Sequence, residues 1–238
     1  YNISPLGSIS SFCTGAIHGG FFSLIAFYAT KANFTLLETS ILLFISTISG
    51  VLGQWPIGYI SDKYDRRIII VITTFLAAIL AFFSILTSND PIENIYWLSE
   101  LHYKKILFFI FVGIYTSLCL PLFSLNLAHT NDFVEKNQFV AAGGGLQLIF
   151  GFGAISGPIL CSLYMQILDL NGFFMFLICF HMIIGFFGLY RMKVRSTTNN
   201  PDSLFTPIPA TITPAGLELD PGAPETLGDS QSAVSKNL

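Results

Sequence analysis

Charge is what this sequence has least of. Of its 238 residues only 11% are Asp, Glu, Lys or Arg, against about 25% in soluble domains. A water-soluble fold of this size could not cover its surface with so few ions. The basic residues form no run that could track a phosphate backbone, so no nucleic acid is expected as a partner. The four cysteines, Cys13, Cys119, Cys161 and Cys179, all lie in apolar stretches and no two are close enough for a metal or redox motif. They read as small apolar filler in buried helices. The region after Tyr1 has no basic segment and no small-residue cleavage pattern, so it is not a signal peptide. The expectation is a fragment or a processed product. Gly151-Phe152-Gly153 is not a dinucleotide loop, because no strand precedes it and no acidic residue follows at the right distance. No cofactor is expected.

What is there is apolar. The chain is 53% hydrophobic with 24 phenylalanines, and its mean hydropathy is +0.67. Six intervals of at least 21 residues contain no Asp, Glu, Lys or Arg: Ser8–Thr30, Thr39–Ser61, Ile68–Asn89, Ile106–Asn131, Asn137–Leu168 and Leu170–Tyr190. About 20 apolar residues are enough for a helix to cross the hydrocarbon layer. Inside a bilayer the backbone must satisfy its own hydrogen bonds, so such intervals are helices. The fold class expected is all-α, with six transmembrane helices over residues 1–195. The fifth and sixth spans are divided at Asp169-Leu170-Asn171-Gly172, a polar turn. The loop Asp90–Lys105 carries Tyr96, Trp97, His102 and Tyr103, as an interfacial segment does.

Basic residues set the orientation. One side holds Lys63, Arg66, Arg67, Lys136, Arg191, Lys193 and Arg195, and the other holds Lys31, Lys104 and Lys105. The richer side, with both termini, belongs in the cytoplasm. Residues 196–238 contain six prolines and no membrane-length run. They are expected to form a disordered cytoplasmic tail.

Most of the charge in the first half sits in Gly58-Tyr59-Ile60-Ser61-Asp62-Lys63-Tyr64-Asp65-Arg66-Arg67. Gly58 lies where a helix end packs closely on a neighbour. Asp62 is placed for a helix N-terminus or a basic partner. Arg66 and Arg67 are placed to anchor the next helix on the anionic cytoplasmic face. A merely basic loop does not explain Asp62 and Asp65 among those bases.

This G-x-x-x-D-x-x-x-R-R loop resembles the signature loop of the major facilitator superfamily of secondary transporters. Gly58, Asp62, Arg66 and Arg67 match it, whereas Asp65 replaces the family's usual glycine and Pro56 adds a kink upstream. The resemblance covers residues 1–195 and implies one half of a twelve-helix fold, here the C-terminal half. The absent partner would be the N-terminal six-helix half. Gln54-Trp55-Pro56-Ile57-Gly58 and Leu217-Glu218-Leu219-Asp220-Pro221 look most like the YcaD-type bacterial branch. What this implies is an alternating-access carrier for a small molecule in the bilayer of a bacterial inner membrane.

Polar groups inside the spans are the candidate substrate contacts. Thr14 and His18 share a face of the first helix with Ser11, and Gln54 shares one of the second with Thr47 and Gly50. Asn126 lies on the fourth and Gln147 on the fifth. His18 stands out because Gly15, Gly19 and Gly20 flank it and could thin the helix beside a cavity. No Asp or Glu lies mid-span, so proton coupling within this chain would have to use histidine. Gly153 and Gly157 form a small-xxx-small pair, and with Pro158 they are a candidate hinge. Two rival classes remain open, a channel and an intramembrane serine protease. The protease would need Ser156 to reach His181 at about 3 Å.

Overall fold

The computed structural model describes Ser4–Ser88 and Leu98–Val194. The tail at 196–238, and Tyr96 and Trp97 of the interfacial loop, lie outside the described residues. Within the described residues every regular element is helical. Helix α1 spans Pro5–Lys31, α2 Leu36–Ser61 and α3 Arg66–Ser88. Then come α4, Leu98–Cys119, and α5, Leu122–Asn131. After a short 3-10 turn follow α6, Phe139–Leu168, and α7, Asn171–Val194. Six segments are long and apolar enough to cross a membrane, with α4 and α5 together making the fourth.

Local chemistry sets the helix starts. The Ser4 hydroxyl accepts from the Gly7 amide at 3.2 Å, and Pro5 opens α1 without needing a hydrogen-bond donor. At α2, Thr35 and Glu38 form a reciprocal capping box. Asp65 takes the corresponding place before α3, accepting from the Arg67 amide at 3.0 Å.

The fourth span is not one helix, as the sequence reading had it. It breaks at Leu120-Pro121. Proline has no amide hydrogen and its ring crowds the preceding turn. The ladder therefore stops with Leu120 donating to Thr116 and resumes with Leu125 donating to Pro121. Pro56 and Pro158, by contrast, lie inside continuous helices.

Helix α1 is the centre of the packing, against α6, α7 and α5, while α3 packs on α7 and α4, and α2 on α4. The α1–α6 seam is built from glycine. A Cβ on Gly15 would strike the Phe150 carbonyl and one on Gly19 the Ala154 carbonyl. From the other side, a Cβ on Gly153 would strike the Phe12 carbonyl and one on Gly157 the Ala16 carbonyl. Each helix thus offers two glycines four residues apart, and the backbones meet directly. The glycines beside His18 therefore serve close packing rather than opening a cavity, and Gly20 meets the Phe176 ring.

The end of the bundle away from the charged loop is filled with rings. Tyr28 stacks on Phe108 at 6.0 Å and meets Phe173 at 5.0 Å and Phe174 edge-on at 5.2 Å. Pairs of this kind add about 0.5–1.5 kcal/mol each beyond the area they bury. The least covered helices are α2 and α6. Only 28% and 22% of their apolar stretches are buried, against 50–61% in the other spans.

Candidate functional site

The charged loop is a closed ionic cluster. Arg66 begins α3 and its guanidinium binds three groups on two other parts of the chain. It pairs with Asp62 at the end of α2 at 3.1 Å. It donates to the Ala128 carbonyl on α5 at 3.0 Å and pairs with Asp132 just after α5. One cation thus ties together the ends of α2, α3 and α5. Arg67 turns the other way, with Nη2 at 2.9 Å and Nε at 3.2 Å from the two oxygens of Asp65.

Both arginines are buried in protein, at 7% and 6% exposed. This corrects the expectation that they anchor on the lipid headgroups. The carboxylates of Asp62, Asp65 and Asp132 draw them inward, since a buried guanidinium requires paired charge and hydrogen bonds. Of the two partners foreseen for Asp62, the structure shows the basic one. Burial opposes ionisation of Asp65, but the Arg67 side chain and amide outweigh it and hold the carboxyl below its usual 3.8.

Many hydroxyls of the interior, such as those of Ser46, Thr74, Ser84, Thr116 and Thr130, donate to a carbonyl one turn back, and a few polar side chains bind one another. Asn126 is fully buried; its oxygen accepts from Ser10 at 2.7 Å and its amide donates to Thr14 at 3.2 Å. Two of the cavity candidates, Thr14 and Asn126, are thereby joined across α1 and α5. His18 lies 3.1 Å from the Cys119 carbonyl. A carbonyl can only accept, so Nε2 carries the proton. That carbonyl is at the Leu120-Pro121 break, where the helical partner is lost. His18 therefore supplies a donor that the broken helix lacks.

Gln54 and Gln147 are half-buried on α2 and α6, two helices that do not pack extensively together. The protease geometry is not met: Ser156 donates to the Gly153 carbonyl at 2.9 Å, and His181 lies 3.2 Å from the Tyr115 hydroxyl. A groove of about 410 Å³ runs between α2 and α4, lined by Ile45, Ser49, Ile106, Phe109, Ile110 and Gly113 among others. None of the sequence candidates lines it.

The Major Facilitator Superfamily model matches residues 7–223. The chain belongs to that superfamily. Among curated relatives, the uncharacterized MFS-type transporter YE1530 of Yersinia enterocolitica is 26% identical over 205 residues, covering 86% of this chain and 47% of the relative. The uncharacterized MFS-type transporter YcaD of Salmonella gallinarum is 23% identical over 161 residues, covering 68% of this chain and 37% of the relative. YcaD of Escherichia coli is 24% identical over the same length. The chain thus spans less than half the length of these relatives. The superfamily resemblance and its YcaD-type branch, expected from the charged loop and its flank, are borne out. The protein is a multi-pass membrane protein of a transporter superfamily.

Two parts of the site escaped the sequence reading. Asp132 sits 66 residues from its partner Arg66, and no local pattern links them. Asp65 looked like a departure from the superfamily's loop, and it is the cap of α3. Its place immediately before a helix start was the available signal.

Proposed function

We propose that this chain is one six-helix half, the C-terminal one, of a secondary transporter working by alternating access. The observation that carries this reading is the Arg66 cluster. It fixes the ends of three helices through charge pairs that lie at one end of the bundle, where a rocking motion would need a releasable tie. The scant cover of α2 and α6 supports it too, since a second six-helix unit would find its docking faces there. The solute is small and neutral or amphipathic, in keeping with an interior whose polar groups are uncharged. Any proton coupling within this half runs through His18 or His181. The excess of basic residues in the loops on one side supports a bacterial membrane protein with both termini in the cytoplasm.

The test is Asp62→Asn in the full-length carrier. The expected result is a changed transport rate and a changed balance between inward-open and outward-open states, followed by thiol accessibility of reporter cysteines. An unchanged rate and balance would remove the gating role. The isolated chain, having half a site, is expected to show no uptake in proteoliposomes.

A further inference from the structure

The groove of about 410 Å³ between α2 and α4 is within the size range of small-molecule sites. Ile45 and Ser49 line it from α2, and Ile106, Phe109, Ile110 and Gly113 line it from α4, among others. The groove owes its depth to the glycine at 113. A Cβ there would come within 3.0 Å of the Ile45 side chain and 3.2 Å of the Ser49 hydroxyl oxygen. The Ser49 hydroxyl thus faces the groove floor.

Ser49 differs from every other serine and threonine of α2. Thr39, Ser40, Ser46 and Thr47 each donate to the carbonyl four residues back, and Ser61 donates to the Gly58 carbonyl. That internal bond is how a helix in a bilayer satisfies a hydroxyl without water. The Ser49 hydroxyl makes no hydrogen bond among the described residues. Ser49 is half-buried and sits at the midpoint of α2, Leu36–Ser61. At that depth water and headgroups are out of reach, and a lipid tail has no group that can bond to it. A lone hydroxyl in an apolar groove is the kind of polar point that orients a small molecule.

Charge gives the class of ligand. Among the described residues, no ionisable side chain lines the groove. Lys105, next to Ile106 in the chain, pairs with Glu38 at 2.8 Å and lies over the Phe34 ring at 5.3 Å. These two charges answer one another across α2 and α4, so the groove matches an uncharged molecule. We propose that it binds a largely apolar, uncharged molecule through one hydroxyl or carbonyl group set against Ser49. The apolar body lies along Ile45, Phe109 and Ile110. The inference rests on the carrier reading only in taking this molecule for the transported solute.

The test is photolabelling of the full-length protein in lipid nanodiscs with an octanol that carries a diazirine, against the matching diazirine-bearing octane. Labelled peptides are mapped by mass spectrometry. Saturable octanol labelling is expected on the peptides that carry Ile45 and Phe109, with octane weaker. Ser49→Ala removes one neutral hydrogen bond, so it is expected to weaken octanol labelling roughly fivefold and leave octane labelling unchanged. Ile110 is 47% exposed, so Ile110→Trp fills the groove from its open side without disturbing the core, and should abolish saturable labelling by both probes. Ser40→Ala, whose hydroxyl is engaged by the Leu36 carbonyl, is expected to match wild type. Equal labelling of wild type by octanol and octane would make the groove a seat for lipid tails and overturn the proposal. So would octanol labelling that is absent, or indifferent to Ser49→Ala and Ile110→Trp. Photolabelling reads binding without transport, so its failure leaves the alternating-access reading standing, and an unchanged Asp62→Asn carrier leaves the groove standing.

Discussion

The two ends of this bundle are held by different physics. At one end Arg66, Asp62, Asp132, Arg67 and Asp65 hold helix ends by charge. At the other, Tyr28, Phe108, Phe173 and Phe174 hold them by ring contact. Ring packing is insensitive to pH and salt, and it is lost only by pulling the helices apart. Charge pairing can be exchanged for water or for other partners at modest net cost once the pair opens. On the proposed alternating-access reading, the aromatic end is the fixed one and the ionic end the one that changes state.

The largest effect is expected from breaking the ionic end on one side only. Arg66→Ala removes three charge-assisted hydrogen bonds of a buried guanidinium at once and leaves the largely covered Asp132 and the more open Asp62 without this cation, and should cost about 3–5 kcal/mol in detergent unfolding. Replacing both partners with apolar residues, Arg66→Met with Asp132→Leu, should recover much of that loss, because the cost lies in the orphaned charge. If the double variant is no better than the single one, packing rather than charge holds this end.

Next comes the aromatic end. Phe173→Ala opens a cavity among Tyr28, Phe21 and Phe174 and should cost about 3 kcal/mol. Unlike the ionic variants, it should unfold with the same loss at low and at high salt. A salt-dependent loss would blur the contrast between the ends.

The smallest effect is the most specific. The Asp65 carboxyl is held below its ordinary 3.8 in the folded chain. Its contribution is therefore complete above that value and vanishes as pH falls through the lower, folded-state one. Asp65→Asn keeps a capping side chain and removes the charge. Wild type should lose more thermal stability than Asp65→Asn on acidification across that window. Parallel losses would show that Arg67 does not stabilise the ionised form.

Length and charge-free composition were enough to read the six spans and their class from sequence, because a bilayer enforces both. The charged loop was enough to read the superfamily. The interior was harder. Thr14, His18 and Asn126 were legible as polar groups in spans, but their partners were not. The Thr14–Asn126 pair joins residues 112 apart, and His18 reaches Cys119 across 101. Such pairings depend on how helices rotate against one another, which a single helical period does not specify. The Leu120-Pro121 break was missed for a related reason. Membrane helices often run through proline, as α2 and α6 do here, so the residue alone does not announce where the ladder fails.

The glycine seam carries a mechanical consequence. At the four glycines where α1 and α6 meet, no side chain stands between the backbones to re-pack, so turning either helix there would drive a Cα–Cβ bond into a facing carbonyl. The pair behaves as a single stave. Whatever rocking the bundle undergoes must take its compliance elsewhere. The interrupted fourth span, where Pro121 has no amide hydrogen for the Ser117 carbonyl and His18 donates to the carbonyl of Cys119, is where the frame can flex.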